Sequence, residues 1–131
     1  MLYAPPPPVL EIYYSPVCAP CRLDLPIVAE FAKEDGSRVR IVILDQVPRA
    51  KADLRAVSER LASTAVVAVL QDPRITLRAS GDDDGILPYA RSIAPNGEIC
   101  ARWRGRITLA RAHSLVAACM KPLILPPKQR S

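Results

Sequence analysis

Long apolar runs are missing from this chain: nowhere do its 131 residues hold the roughly 18 consecutive hydrophobic residues of a membrane-spanning helix. No span is therefore expected. Aromatic residues are scarce, with one Phe, one Trp and four Tyr, although half of all residues are hydrophobic. The core must come mainly from Val, Ile, Leu and Ala, a mix that suits buried strands flanked by helices. Four cysteines are too few for a disulfide scaffold and too unevenly spaced for a zinc ribbon. Charge of one sign never gathers into a block: 18 basic and 13 acidic residues give a net of +5, scattered along the chain. Nucleic-acid binding is accordingly not expected, and the densest basic stretch, Arg102-Trp103-Arg104-Gly105-Arg106, reads as the solvated face of an edge strand. Met1 to Val9 lacks the basic start and apolar centre of a signal peptide.

What is present fits one domain over 9–121, between a proline-rich disordered segment (1–8) and a C-terminal tail (122–131). Pro5 to Pro8 favour extended polyproline II, either as the stub of a linker behind a removed anchor or as an ordinary disordered terminus. Val9 to Tyr14 is a strand closed by Ser15-Pro16, and a helix starting near Cys18 runs to Glu34 before Gly36. Val39 to Leu44 is a second, central strand in a parallel crossover with the first. Leu54, Val57 and Leu61 place a helix over Arg49 to Ala62. Ala65 to Leu70 is ambiguous and is read as prolonging that helix, with Asp72-Pro73 breaking it. Ser80 to Gly85 reads as a mobile acidic loop. Leu87 to Ile93 and Glu98 to Trp103 form an antiparallel pair around Ala94-Pro95-Asn96-Gly97, and Leu109 to Met120 is a last helix. The order is βαβα, then ββα.

The chemistry lies in Cys18-Ala19-Pro20-Cys21-Arg22. Disulfide exchange needs one thiol ionised near neutral pH and a second close enough to release the captured substrate. A helix beginning at Ala19 puts Cys18 in the capping position, where unpaired N–H groups and the helix dipole act on its sulfur. Such settings lower a thiol pKa from about 8.5 to between roughly 3.5 and 7.5. Pro20 is tolerated in the first turn. Cys21, one turn deeper, is the resolving thiol. Arg22 adds a nearby positive charge or is simply solvated. Two other readings stay open: half of a metal site completed by Cys100, Cys119 or His113, and a purely structural disulfide.

Beyond the cysteines the sequence resembles the thioredoxin superfamily. Pro26, five residues after Cys21, is similar to the proline that bends the active-site helix; Ile86-Leu87-Pro88 resembles the cis-proline segment; Asn96-Gly97-Glu98 and Gly105 resemble the hairpin turn and strand-ending glycine. The likeness covers Val9 to Met120, with no clear counterpart for Thr64 to Gly85. Ser92 to Ile99 is most similar to the tethered extracytoplasmic reductases of cytochrome c maturation type. The resemblance implies a three-layer α/β/α sandwich with a mixed sheet of about four strands. It implies Cys18 as nucleophile, Cys21 as resolving thiol, and Leu87, cis Pro88 and Pro20 against the substrate, with Val17, Ala19 and Arg22 supporting. No cofactor beyond the Cys18-Cys21 couple and no metal are implied. Its partners would be a protein disulfide and an upstream dithiol donor, and the protein a monomer, extracytoplasmic rather than cytoplasmic. Val17 departs from the family's Trp, and Ile12 stands where a buried acid is usual, Glu11 pointing to the opposite face. Pro20 resembles the reducing members, so the reading is a protein-disulfide reductase. A non-catalytic binding module and a metallochaperone are the alternatives.

Cys100 and Cys119 read as small buried hydrophobes, a disulfide between them being the alternative that would indicate an oxidising compartment. His113 reads as a surface residue. Asp82, Asp83 and Asp84 read as a solvated loop near the rim of the site.

Overall fold

The computed structural model describes residues 6–15, 18–34, 36–44, 64–69, 72–82 and 84–120. Val9–Tyr14 (β1), Arg38–Leu44 (β2), Thr64–Val69 (β3), Tyr89–Ile93 (β4) and Ile99–Arg104 (β5) form one mixed sheet in the order β3-β2-β1-β4-β5. Ala19–Ala32 (α1), Pro73–Ser80 (α2) and Leu109–Cys119 (α3) are the described helices. β1, β2 and β3 run parallel, and β4 and β5 antiparallel to their neighbours. Strand alternation divides the core. Leu10, Ile12, Ile41, Ile43 and Ala90 meet Cys21, Val28 and Phe31 of α1 and Ala112 and Leu115 of α3. On the other face Tyr13, Val42, Leu44 and Tyr89 pack with Leu77 of α2. The result is the expected α/β/α sandwich.

Four details differ from the sequence reading. The apolar run after 64 is strand β3, not helix, so the sheet has five strands rather than about four. A short Ala/Val run has no decisive period, and parallel pairing of Val39–Leu44 with Thr64–Val69 settles it. Helix α2 was not expected. Its ends are nevertheless signalled: Asp72 caps it by accepting from Arg74 N, Pro73 opens it, and Gly81 closes it at φ 103°. A side chain at Gly81 would also meet Arg102 Nε at 2.6 Å. Asp82 is not part of a solvated loop but 1 % exposed, accepting from Arg104 Nε at 2.9 Å. Finally, Cys100 and Cys119 are bonded to each other, Cα atoms 5.1 Å apart, rather than lying as free hydrophobes. The expected helix over 49–62 and residue Asp83 lie outside the described residues.

Glu11 faces α2's side of the sheet, as alternation requires, and is only 4 % exposed. It accepts from Tyr13 Oη at 2.6 Å, Arg40 Nε at 2.8 Å and Arg91 Nε at 2.6 Å. Burial raises its carboxyl pKa, but hydrogen bonds from Tyr13 and Arg91 and the charges of Arg91 and Arg40 together hold it below the ordinary value. Burial and the Glu11 carboxylate push Tyr13 up to about 12. A carboxyl lowered on folding stabilises the native state above its unfolded pKa, about 4.3, and loses that contribution as pH falls through the folded value. Glu11→Gln is therefore expected to cost about 2 kcal/mol at neutral pH, with the gap from wild type closing on acidification. Urea unfolding midpoints across the acid range measure it; a gap independent of pH would refute the charge argument.

Candidate active site

β1 ends at Tyr14, and Cys18 N donates to Ser15 O at 3.0 Å, turning the chain into α1. Cys18 is the N-cap of that helix, with extended backbone (φ −91°, ψ 107°), and its Sγ accepts from Cys21 N at 3.2 Å. Ala19 and Pro20 fill the first turn and are exposed. Proline costs nothing there, because first-turn N–H groups have no intrahelical acceptor. Cys21 is 3 % exposed while Cys18 is only partly buried, so the first cysteine is the more accessible of the two. The two form a disulfide with Cα atoms 5.3 Å apart. Arg22 is exposed, and Val17 lies outside the described residues.

The other half of the site arrives through the sheet. Pairing of Tyr13 with Tyr89 places the segment before β4 at the same end of the sheet as Cys18. Pro88 is buried, the Leu87–Pro88 peptide is cis, and Leu87 is half-buried where both core clusters meet. Gly105 N donates to Pro88 O at 2.8 Å, tying this segment to the end of β5.

One residue escaped the sequence reading. Asp24, 2 % exposed, lies one turn beyond Cys21 on the buried face of α1. Its Oδ1 accepts from Arg106 Nε and its Oδ2 from Ile107 N, both at 2.7 Å. Since Arg106 follows Gly105, this carboxylate fastens the cysteine helix to the stretch that holds Pro88. Its signal was an acid in phase with Cys21, Val28 and Phe31, on a face that should be apolar. Ile12, where the resemblance led one to look for a buried acid, is a 4 % exposed core residue.

His113 does not approach the cysteines: it pairs with Glu34 at 2.6 Å and its ring lies tilted against Phe31. Cys100 lies beside the Ile93–Ile99 pairing at the opposite end of the sheet. Among the described residues, no three His, Cys, Asp or Glu side chains converge on one point.

This geometry can be set beside solved structures. A putative thioredoxin from Neisseria meningitidis aligns with a TM-score of 0.67 at 15% identity, over 95% of this chain and 82% of that one. The chain has the thioredoxin fold. A thioredoxin-related protein from Neisseria meningitidis serogroup B (TM-score 0.66, 18% identity, 92% and 89% covered) agrees. So does the exposed lipoprotein thioredoxin of Streptococcus pneumoniae (0.62, 19%, 86% and 84%). No family model and no curated relative matches the sequence. Within the thioredoxin fold, the cysteine pair at the start of α1 and Pro88 before β4 sit at one end of the sheet, the end toward which the parallel strands β1, β2 and β3 run.

Proposed function

We propose that the protein is a thiol-disulfide oxidoreductase that reduces protein disulfides through the Cys18-Cys21 couple. The observation that carries this is a partly exposed Cys18 at a helix N-cap, its Sγ accepting from Cys21 N and disulfide-linked to a buried Cys21. N–H donors and the positive helix end favour thiolate over thiol. In the reduced protein the Cys18 thiolate attacks one sulfur of a substrate disulfide. That S–S bond breaks, and the other substrate sulfur leaves as a thiolate and takes a proton. Cys21, losing its proton, then attacks Cys18 Sγ and releases the second substrate thiol. Two electrons pass from the cysteine pair to the substrate, and an upstream dithiol returns them. Leu87 would pair its backbone with the substrate chain, beside Pro88 and Pro20. Neither a metal nor a further cofactor enters these steps, and we assign the protein to a monomer.

An extracytoplasmic setting is supported by the second disulfide, Cys100–Cys119, which an oxidising compartment would preserve. Two proteins of similar structure are described as an exposed lipoprotein and as a secreted thiol-disulfide isomerase. No helix of the described residues is long and apolar enough to cross a membrane.

The test is equilibration of the Cys18-Cys21 pair against a glutathione series, alongside dithiothreitol-driven reduction of a protein disulfide. Turnover with a potential below about −230 mV is expected, whereas a value near about −120 mV would make the protein an oxidant. Absence of turnover would leave a binding module. Stoichiometric zinc or copper held by the reduced protein would indicate metal carriage instead.

A further inference from the structure

The first turns of α1 present an outward face that the exchange chemistry leaves unused. Ala19, Arg22 and Leu23 line a shallow depression of about 390 Å³ next to Cys18. Ala19 and Leu23 are neighbours at i and i+4, with Arg22 alongside. Leu23 is 62 % exposed. In the segment leading to Pro88, at the same end of the sheet, Ile86 is 47 % exposed. One exposed Leu is ordinary, but two large exposed apolar side chains at the end of the sheet that holds the cysteine pair are an arrangement. Arg22 differs from the other arginines at this end of the sheet. Arg104 is paired with Asp82 and Arg106 with Asp24, while the Arg22 guanidinium holds no ion pair among the described residues. An unpaired cation beside an uncovered apolar side chain, both in the first turns of the helix that Cys18 caps, is complementary to an acidic and apolar segment.

We propose that this face selects the substrate, favouring protein disulfides whose attacked cysteine lies in an extended segment with an apolar residue and an Asp or Glu close by. This rests on the redox reading above. The apolar side chain of the substrate covers Ala19 and Leu23, and its carboxylate meets Arg22 at the partly dried edge of that contact. Single exposed ion pairs are weak, so the preference is modest and sensitive to salt.

The experiment uses the full chain and two disulfide-bonded peptides that differ only in Glu or Lys beside the cysteine, with hydroxyethyl disulfide as a small uncharged reference. Wild type should show a kcat/KM roughly threefold to fivefold higher for the Glu peptide at low salt, shrinking at high salt. Arg22→Glu should reverse the ratio and Arg22→Lys keep it. The ratio cancels any change in Cys18 reactivity, so a purely local effect on the thiol would not move it. Leu23→Ser should raise KM for both peptides relative to the hydroxyethyl disulfide rate. Equal kcat/KM for the two peptides, or a preference that survives Arg22→Glu, overturns the inference while the redox reading stands. Failure of wild type to reduce even hydroxyethyl disulfide overturns both.

Discussion

Cys18→Ser is expected to abolish disulfide reduction, lowering the rate by roughly a thousandfold or more, while Cys21→Ser should capture substrate and fail to let it go. The asymmetry follows from position. Cys18 caps the helix and is partly exposed, whereas Cys21 is buried against the core one turn inward. A serine at 18 supplies no nucleophile ionised near neutral pH. A serine at 21 leaves the attacking sulfur in place but removes the group that resolves the mixed disulfide. Non-reducing electrophoresis and mass spectrometry of each variant after exposure to a protein disulfide would show a covalent adduct on Cys21→Ser alone. In the reduced wild type, an alkylating agent should modify Cys18 well before Cys21. Equal trapping by the two variants, or preferred alkylation of Cys21, would remove the division of labour on which the mechanism depends.

Removing the second disulfide should cost stability instead of turnover. Cys100 and Cys119 join the start of β5 to the last turn of α3, at the end of the sheet away from Cys18. The closed loop of 19 residues' separation restricts the unfolded chain by about 3 kcal/mol in the loop-entropy account. A Cys100→Ser, Cys119→Ser double variant should therefore melt roughly 10 °C lower than oxidised wild type. At temperatures where both remain folded, its kcat/KM should match wild type. Calorimetry of the two proteins decides the first point and steady-state kinetics the second. An unchanged Tm would mean that packing of Ala112 and Leu115 already fixes α3 without the bond.

The parts of the site legible in the sequence were those governed by local rules. Cys18, Pro20 and Cys21 announce a capped helix start, because N-capping and first-turn proline depend only on residues within one turn. Pro26, Pro88 and Gly105 became informative through resemblance, since no local rule distinguishes them from other turn residues. Asp24 went unnoticed for the opposite reason. Its partners, Arg106 and Ile107, lie more than eighty residues away, and nothing in the spacing brings them together. The pairing of Cys100 with Cys119 is underdetermined by the sequence for the same cause.

By itself, then, the sequence determined the order of most elements, the location of the dithiol and the faces of β1. These follow from side-chain period, backbone stereochemistry and capping, all short-range properties. Only the tertiary structure decided that the run after 64 joins the sheet as an edge strand, that Asp24 fastens the cysteine helix to the Pro88 segment, and that Cys100 meets Cys119. Each of these depends on which distant backbone or side chain lies opposite once the layers close, and for Asp24 burial makes the pairing obligatory, because a buried acceptor without a partner is costly.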